Sequence, residues 1–412
     1  MPESIMQPPE RPLLRYGLAA DTHGDDDFSL RDNLRIGGTV VLSPLALEVV
    51  ERFDGESTIA EIADALKAEF PEVEVTAEDV GTLAALLDEA MLLDSPRLRV
   101  HLDVPVRKPA CIGSYSDDPA KLREQLTALF TATGGPGLPD AALPDDAKSN
   151  HTGVLRAILT PHMDYGRGGV TYGHAFKELV ENTEARVFVI IGTSHYSPSR
   201  FSLSRQHFDT PLGLVKTDLE YVNRIASHFG DGLFDDITAH VPEHAIELEV
   251  VLLQFLLAGR RPFKIVPLLT GSIQDCMRGG VKPETMPEIE RMVQALRLAE
   301  AACGEPVCYV ISGDLAHIGP RFGDKRKAAG KCLKDSAAAD AKILATLETA
   351  QPGAFFDVIA AEENARRICG LSPAWLTLEA TRPRTGKVLH YGQFADPKGT
   401  ESVSFAAMAF YG

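Results

Sequence analysis

The sequence predicts an α/β fold, in which a largely parallel sheet is flanked by helices and preceded by a small winged-helix-like domain. Short apolar runs rich in β-branched residues lie at Val154–Leu159, Val187–Ile191, Phe263–Leu269 and Val307–Ile311. Helical stretches separate them, at Tyr172–Asn182, Glu247–Leu257 and Pro287–Cys303. Apolar strands that alternate with helices are typical of a parallel sheet covered on both faces. Lys387–Phe394 and Ser402–Tyr411 predict two further strands.

We expect the winged-helix-like domain at residues 29–100, after an irregular segment at residues 1–28. Its hairpin is expected over Leu34–Leu42, turning at Gly37-Gly38, where a positive φ costs little. Three short helices follow, and we place their starts at Ser43, Ser57 and Thr76. The segment LSPLALEVVERFDGESTIAEIADAL resembles the PqqD-like fold, whose members hold a peptide along a strand edge.

Two other uses of this small domain remain open at this point. A winged helix can read DNA, but acidic residues dominate this segment and would repel a phosphate backbone. A packing or dimerisation role is as compatible with the pattern as peptide binding.

Residues 101–150 are predicted to be a linker with the first helix of the main domain, at Pro119–Thr131, followed by a loop rich in Gly, Pro and Asp. The main domain is expected over residues 151–412.

The bulk composition excludes several classes of function. The 412 residues carry a net charge of −17, so a nucleic acid is not expected as a partner. The sequence contains no apolar run long enough to span a membrane, and its N-terminus lacks the apolar stretch of a secretory signal. The six cysteines form no CxxC pair, which predicts reduced thiols and a cytoplasmic protein.

Polar residues that can bind a metal follow three of the predicted strands. His162 lies in TPHMDYG, His195 in GTSHY, and Asp314 and His317 in SGDLAH. Because ligands bind beyond the carboxyl ends of parallel strands, these residues are expected at one edge of the sheet. Strand ends also supply the rigid placement that imidazole ligands need. The pattern leaves a third ligand open among Asp164, Glu243, His244, Asp314 and Cys369.

From about Val106 to the C-terminus, the chain resembles the Memo family, whose bacterial members are labelled AmmeMemoRadiSam system protein B. The segments that carry the resemblance occur in order: RKPACIGSYSDDPAKLREQL, TPHMDYGRGG, IIGTSHY, PEHAIELEV, ISGDLAHIG and ARRICG. The fold of this family is similar to that of the class III extradiol dioxygenases, which hold non-haem iron in an α/β domain.

The resemblance implies a metal site made by His162, His195 and Cys369. The related dioxygenases complete their site with a carboxylate, whereas a thiolate is a softer ligand. The thiolate moves the preference toward copper or zinc, and iron(II) remains compatible with the site. Of these, iron or copper is the metal expected from the resemblance, with zinc as a further candidate.

The resemblance also places His244, Asp314 and His317 in the same pocket, as candidate catalytic residues. An imidazole or a carboxyl group there could act as a general acid or base, or could support the ligands without transferring a proton. Asp164 and Arg167 depart from the family pattern, and Arg167 is expected to pair with Asp164 or with an anionic ligand.

Two functions remain compatible with the sequence. The first is a metal-dependent oxidoreductase, similar to a dioxygenase, that acts on a small-molecule or peptide substrate together with a radical-SAM partner protein. The second is a non-enzymatic protein that binds a peptide or a partner and carries a structural or redox-reactive metal.

Overall fold

The computed structural model describes residues 7–24, 26–140 and 153–412. It divides the chain into two units, Met1–Val104 and Pro105–Gly412. Part of the predicted Gly-, Pro- and Asp-rich loop falls at residues 141–152 and lies outside the described residues. Among the helices that the structure describes, none is both long enough and apolar enough to cross a membrane.

The described residues of the N-terminal unit form a three-stranded antiparallel sheet and four helices. Its strands are β1 (Leu18–His23), β2 (Asp27–Asp32) and β3 (Val40–Leu42), in that order across the sheet. Its helices are α1 (Pro44–Val50), α2 (Ile59–Glu69), α3 (Ala77–Glu89) and α4 (Pro96–Leu102). Ser43 and Thr76 cap α1 and α3 as predicted, whereas the cap of α2 is Thr58 rather than Ser57. Thr58 and Thr76 both form reciprocal capping boxes, which satisfy backbone N–H groups that the helix cannot pair itself.

The start of this unit differs from the prediction. Residues 18–23 were expected to be irregular but form β1, and the strand that pairs with β3 is β2 rather than a segment starting at Leu34. The reason is a buried carboxylate. Asp32 accepts hydrogen bonds from the backbone N–H groups of Leu34, Ile36 and Gly37, and it pairs with the buried Arg15 at 2.6 Å. The chain therefore wraps around this carboxylate instead of continuing as a strand.

Gly37 is required for close packing rather than for a positive φ. Neither Gly37 nor Gly38 has a positive φ. A Cβ atom on Gly37 would lie 2.1 Å from the backbone oxygen of Ala90, which a side chain cannot do without moving the backbone. The expected reason for this glycine was thus wrong, although glycine is indeed needed there.

The second unit contains most of the chain. Its strands are β4 (Val106–Arg107), β5 (Leu155–Thr160), β6 (Val187–Thr193), β7 (Phe201–Leu203), β8 (His207–Thr210), β9 (Gly213–Val215), β10 (Lys264–Thr270), β11 (Val307–Ser312), β12 (His317–Ile318), β13 (Thr385–Ala395) and β14 (Ser402–Tyr411). Its α-helices are α5 (Pro119–Thr131), α6 (Tyr165–Gly168), α7 (Val170–Asn182), α8 (Leu219–Phe229), α9 (His244–Leu257), α10 (Gln274–Gly279), α11 (Pro287–Ala301), α12 (Lys331–Glu348), α13 (Pro352–Ala360) and α14 (Leu371–Thr381).

The main sheet confirms the predicted fold class. Its strand order is β12-β14-β5-β11-β6-β10-β7. β12 and β5 pair with opposite ends of β14, and β13 pairs with β14 along its whole length. The four strands β5, β11, β6 and β10 run parallel to one another at its centre. Antiparallel strands flank this centre, because β14 pairs with β5 and β7 pairs with β10. The four central strands are the four apolar runs that the sequence singled out.

Both faces of the sheet are covered, which explains why the central strands are apolar throughout. In β6, Val187, Val189 and Ile191 point into one core, and Phe188 and Ile190 point into the other. The predicted helix Pro119–Thr131 is α5, and it contributes to the second of these cores. A smaller sheet, in which β4 pairs with β8 and β8 with β9, ties the start of this unit to its middle.

A buried ion pair fixes the loop that precedes α9. Arg107 pairs with Glu247, a residue of α9 that is 0% exposed. The guanidinium of Arg107 also donates to the backbone oxygens of His240 (2.6 Å), Val241 (3.2 Å) and Glu243 (2.8 Å). Glu247 accepts further bonds from the backbone N–H groups of residues 110 and 111. Burial opposes ionisation of Glu247, but Arg107 keeps the pKa of this carboxyl below its ordinary value.

We expect Arg107→Ala to destabilise the second unit strongly, because it leaves the Glu247 charge buried without its partner. Breaking a buried ion pair in this way costs roughly 3–5 kcal/mol. Differential scanning calorimetry should show the loss. The matched control is Lys108→Ala, which removes an exposed ion pair with Asp209 and should cost less than about 1 kcal/mol. Equal effects of the two variants would contradict this account.

Candidate metal centre

His162 lies just beyond the end of β5 and is 2% exposed. Its backbone N–H donates to a carboxylate oxygen of Asp314 at 3.2 Å. Its ring Nδ1 lies 3.2 Å from the backbone oxygen of Ser312, which can only accept, so Nδ1 carries the proton and Nε2 presents a lone pair. Burial, together with the neighbouring imidazoles of His195 and His244, lowers the pKa of His162 well below its ordinary value. The ring is therefore a neutral donor.

Cys369 meets His162 in the same pocket. Its Sγ lies 3.2 Å from Nε2 of His162, although 207 residues separate them in the chain. The thiol is held by its surroundings: the backbone N–H of Asp314 donates to Sγ at 3.3 Å, and the Thr193 hydroxyl donates to the Cys369 backbone oxygen at 2.9 Å. Burial and the adjacent Asp314 raise the pKa of this thiol.

Two glycines allow the segment that carries Cys369 to approach the end of β11. A Cβ atom on Gly313 would lie 2.5 Å from the Cα of Gly370, and one on Gly370 would lie 2.8 Å from the backbone oxygen of Asp314. The Gly370 N–H donates to that same oxygen at 2.9 Å. Only glycine permits this backbone contact, so the position of the thiol depends on both residues.

His195 follows β6 and is oriented by Glu243. The carboxylate of Glu243 is 1% exposed and accepts from the His195 backbone N–H at 2.8 Å and from its Nδ1 at 3.0 Å. Burial lowers the pKa of His195, but Glu243 outweighs this and holds that pKa above its ordinary value. Burial conversely opposes ionisation of Glu243, whose pKa is nevertheless lowered to about 2 by His195 and its other partners.

His244 begins α9 and shares the same carboxylate. Its Nδ1 lies 3.2 Å from Oε1 of Glu243, which also caps the helix by accepting from the backbone N–H groups of His244 and Ala245. The rings of His244 and His195 are stacked, with centroids 4.6 Å apart. Burial lowers the pKa of His244 to about 4, despite the opposing effect of Glu243. This imidazole is therefore neutral at physiological pH.

Asp314 and His317 follow β11, as predicted. Oδ2 of Asp314 lies 3.7 Å from Nε2 of His162, and burial raises the pKa of this carboxyl to about 7. Nδ1 of His317 lies 3.1 Å from the backbone oxygen of Leu315 and 3.0 Å from that of Arg367. Burial lowers the pKa of His317 to about 4. Asp314 can thus exchange a proton near neutral pH, whereas His317 is neutral there.

Among the residues that the structure describes, there are two groups of three donors in which the ligand atoms of the same group lie within 4.8 Å of one another. One group is His162, His195 and His244, and the other is His162, Asp314 and Cys369. The set expected from the sequence, His162, His195 and Cys369, is thus distributed over both groups, with His162 as the shared member. His317 belongs to neither group.

The sequence did not reveal the part played by Glu243, which it gave only as a possible third ligand. In the structure Glu243 faces the Nδ1 atoms of two imidazoles instead. Its position directly before a helix start was the available signal, because an N-cap carboxylate is fixed in place and ligating histidines usually have a carboxylate partner. Asp164, another candidate, caps α6 and pairs with Arg167.

The fold and the pocket define an α/β protein whose imidazole, carboxyl and thiol groups meet at the carboxyl edge of four parallel strands. A family model described as Memo-like protein matches residues 107–409, and the chain belongs to this family. A second model, Coenzyme PQQ synthesis protein D (PqqD), matches residues 5–93, so the N-terminal unit is a PqqD domain.

Curated relatives carry the same family name. A MEMO1 family protein of Aquifex aeolicus is 25% identical over 94% of this chain and 96% of its own length, so the similarity extends over both units. A MEMO1 family protein of Methanothermobacter thermautotrophicus is 30% identical over 67% of this chain and 88% of its own. The protein memo-1 homolog of Caenorhabditis elegans is 27% identical over 62% of this chain and 72% of its own.

We expect Glu243→Gln to lower the pKa of His195, because the substitution removes the negative charge that raises this pKa and leaves the opposing effect of burial. Histidine NMR titration of the metal-free protein measures the change. The matched control is Glu249→Gln. Glu249 lies buried in α9, the helix that Glu243 caps. Burial raises the pKa of Glu249 well above the ordinary range, so this carboxyl is already neutral. The same change in both variants would contradict the role given to Glu243.

Proposed function

We propose that this protein binds one metal ion through His162, His195 and Cys369. The observation that carries the proposal is the fixed orientation of the donors. Nδ1 of His162 is engaged by the Ser312 backbone oxygen and Nδ1 of His195 by Glu243, which leaves both Nε2 atoms for a metal. The thiol lies 3.2 Å from one of these Nε2 atoms. Ligating imidazoles in proteins are commonly held in this way.

The donor set fits iron or copper, and it also fits zinc. Imidazoles suit all three metals, and a thiolate shifts the preference toward softer ions. The raised pKa of Cys369 means that the thiol holds its proton until a metal displaces it. Three protein ligands would leave a coordination position for a substrate, as in catalytic metal sites.

The further proposal is an oxidoreductase, similar to the dioxygenases, that acts on a small-molecule or peptide substrate with a radical-SAM partner protein. A redox-active metal would supply electron transfer to or from the substrate. The side chains of His195 and His244 are 29% and 30% exposed, so a substrate would reach the pocket from their side. Asp314, whose pKa is about 7, would hold or release a proton there.

The alternative is a protein that binds a peptide or partner without catalysis and carries a structural or redox-reactive metal. The PqqD domain favours this candidate, because β1 is an edge strand whose last four residues are exposed. An extended peptide adds to such an edge by backbone hydrogen bonds. Partner binding that persists after His162, His195 and Cys369 are all replaced would favour this function over the enzyme.

We expect protein purified without oxygen to contain about one metal ion per chain, and His162→Ala to lose it, because His162 belongs to both donor groups. Elemental analysis of both proteins checks this. The control is His174→Ala, which removes an imidazole bonded to the backbone oxygen of Gly134. Metal content that is unchanged in His162→Ala would rule out the site.

We also expect Zn²⁺ binding at pH 7 to release about one proton more from the wild-type protein than from Cys369→Ser. The thiol is protonated at this pH because burial raises its pKa, and a metal can bind it only as the thiolate. Calorimetric titrations in buffers with different heats of ionisation count the protons. Equal proton release from the two proteins would mean that Cys369 is not a ligand.

A further inference from the structure

We propose that His244 is a third nitrogen ligand, and that His162, His195 and His244 together hold a divalent cation even without Cys369. The inference rests on the proposed metal site and deepens it. It returns to His244 as one of the ligand candidates that the sequence pattern left open, and it differs from the general acid or base role that the resemblance implied. It also means that the pocket contains two overlapping donor sets that share His162: three imidazoles on one side, and a thiol with a carboxyl group on the other.

Glu243 contacts the ring of His244 as well as the ring of His195, although only His195 is hydrogen-bonded to it through its ring. One oxygen of this carboxylate, Oε1, lies 3.0 Å from Nδ1 of His195 and 3.2 Å from Nδ1 of His244. The two rings are nearly parallel, with an interplanar angle of 25°. Because both Nδ1 atoms face this oxygen, the Nε2 atoms are the ring nitrogens that remain for a metal. A single buried carboxylate therefore presents two Nε2 donors side by side.

His162 completes the set from a different direction. Its ring centroid lies 4.9 Å from that of His195 and 5.2 Å from that of His244, with interplanar angles of 71° and 72°. One ring thus stands edge-on to a stacked pair. Nitrogen ligands of a tetrahedral zinc ion, at about 2.0–2.1 Å, lie roughly 3.4 Å apart. Donors that already lie within 4.8 Å of one another need to move inward by only about 1 Å or less.

Charge also favours a cation at this place. The N-terminus of α9 would by itself repel a positive ion. Glu243 offsets it, because this buried carboxylate caps the helix and contacts the two stacked imidazoles. His317 offers a useful contrast. Its Nδ1 is bonded to two backbone oxygens rather than to a carboxylate, and it belongs to neither donor group.

The chemistry of the two sets differs. Three neutral imidazoles suit Zn²⁺, Cu²⁺ and Fe²⁺, whereas the thiolate of Cys369 favours a softer ion such as Cu⁺. The pocket would therefore offer nitrogen ligands to the harder oxidation state of a redox metal and a thiolate to the softer one. His162 would be a ligand in both cases.

The test compares Zn²⁺ binding to four full-length proteins by calorimetry: the wild type, Cys369→Ser, His244→Ala and the double variant. We expect Cys369→Ser to retain one Zn²⁺ per chain. The double variant should bind Zn²⁺ roughly tenfold more weakly than Cys369→Ser, or weaker still, because even the loss of an outer-shell partner of a ligand costs about 10–100-fold in affinity. The control adds His174→Ala to Cys369→Ser and should leave the affinity unchanged. Circular dichroism checks the fold of each variant.

Two results would overturn the inference. One is an affinity of the double variant equal to that of Cys369→Ser. The other is pulsed EPR of Cu²⁺-loaded Cys369→Ser that shows two coordinated imidazoles instead of three, a measurement that stands even if His244→Ala fails to fold. Failure of the proposed function is distinguishable, because the wild type would then bind no metal or His162→Ala would bind it normally.

Discussion

The pocket depends on one buried, ionised carboxylate, that of Glu243. An isolated carboxylate in this position would be strongly unfavourable, because burial removes it from water. It is stabilised by the backbone N–H groups of His195, His244 and Ala245 and by the facing imidazoles. These partners are the same groups that the carboxylate holds in place. The hydrogen bonds that stabilise this charge therefore also fix the backbone at His195 and at the start of α9.

The support for Glu243 reaches well beyond the pocket. Arg107, at the beginning of the second unit, donates to the backbone oxygen of Glu243 and pairs with Glu247 one turn into α9. In the sequence, Arg107 is simply the first residue of the segment RKPACIGSYSDDPAKLREQL, and no local pattern indicates its role. The structure gives this residue a physical role, since the loop before α9 has no regular secondary structure to fix it. Arg107 thus fixes the position of Glu243 in the pocket, although the two residues are far apart in the chain.

The two units bring together a PqqD domain and a Memo-like domain in one chain. The similarity to the Aquifex aeolicus protein extends over nearly all of both chains and therefore includes both units of this one.

The sequence by itself determined the central strands, most of their flanking helices and the placement of His162, His195 and Asp314 at one edge of the sheet. Strands buried on both faces leave an apolar signal, and parallel strands put their carboxyl ends together. Cys369 followed only from the resemblance, since a lone thiol has no periodicity. The tertiary structure decided which Nδ1 atoms meet Glu243, and how Gly313 and Gly370 bring the thiol to His162. These contacts join segments far apart in the chain, and their geometry depends on how the backbones pack, which local patterns do not encode.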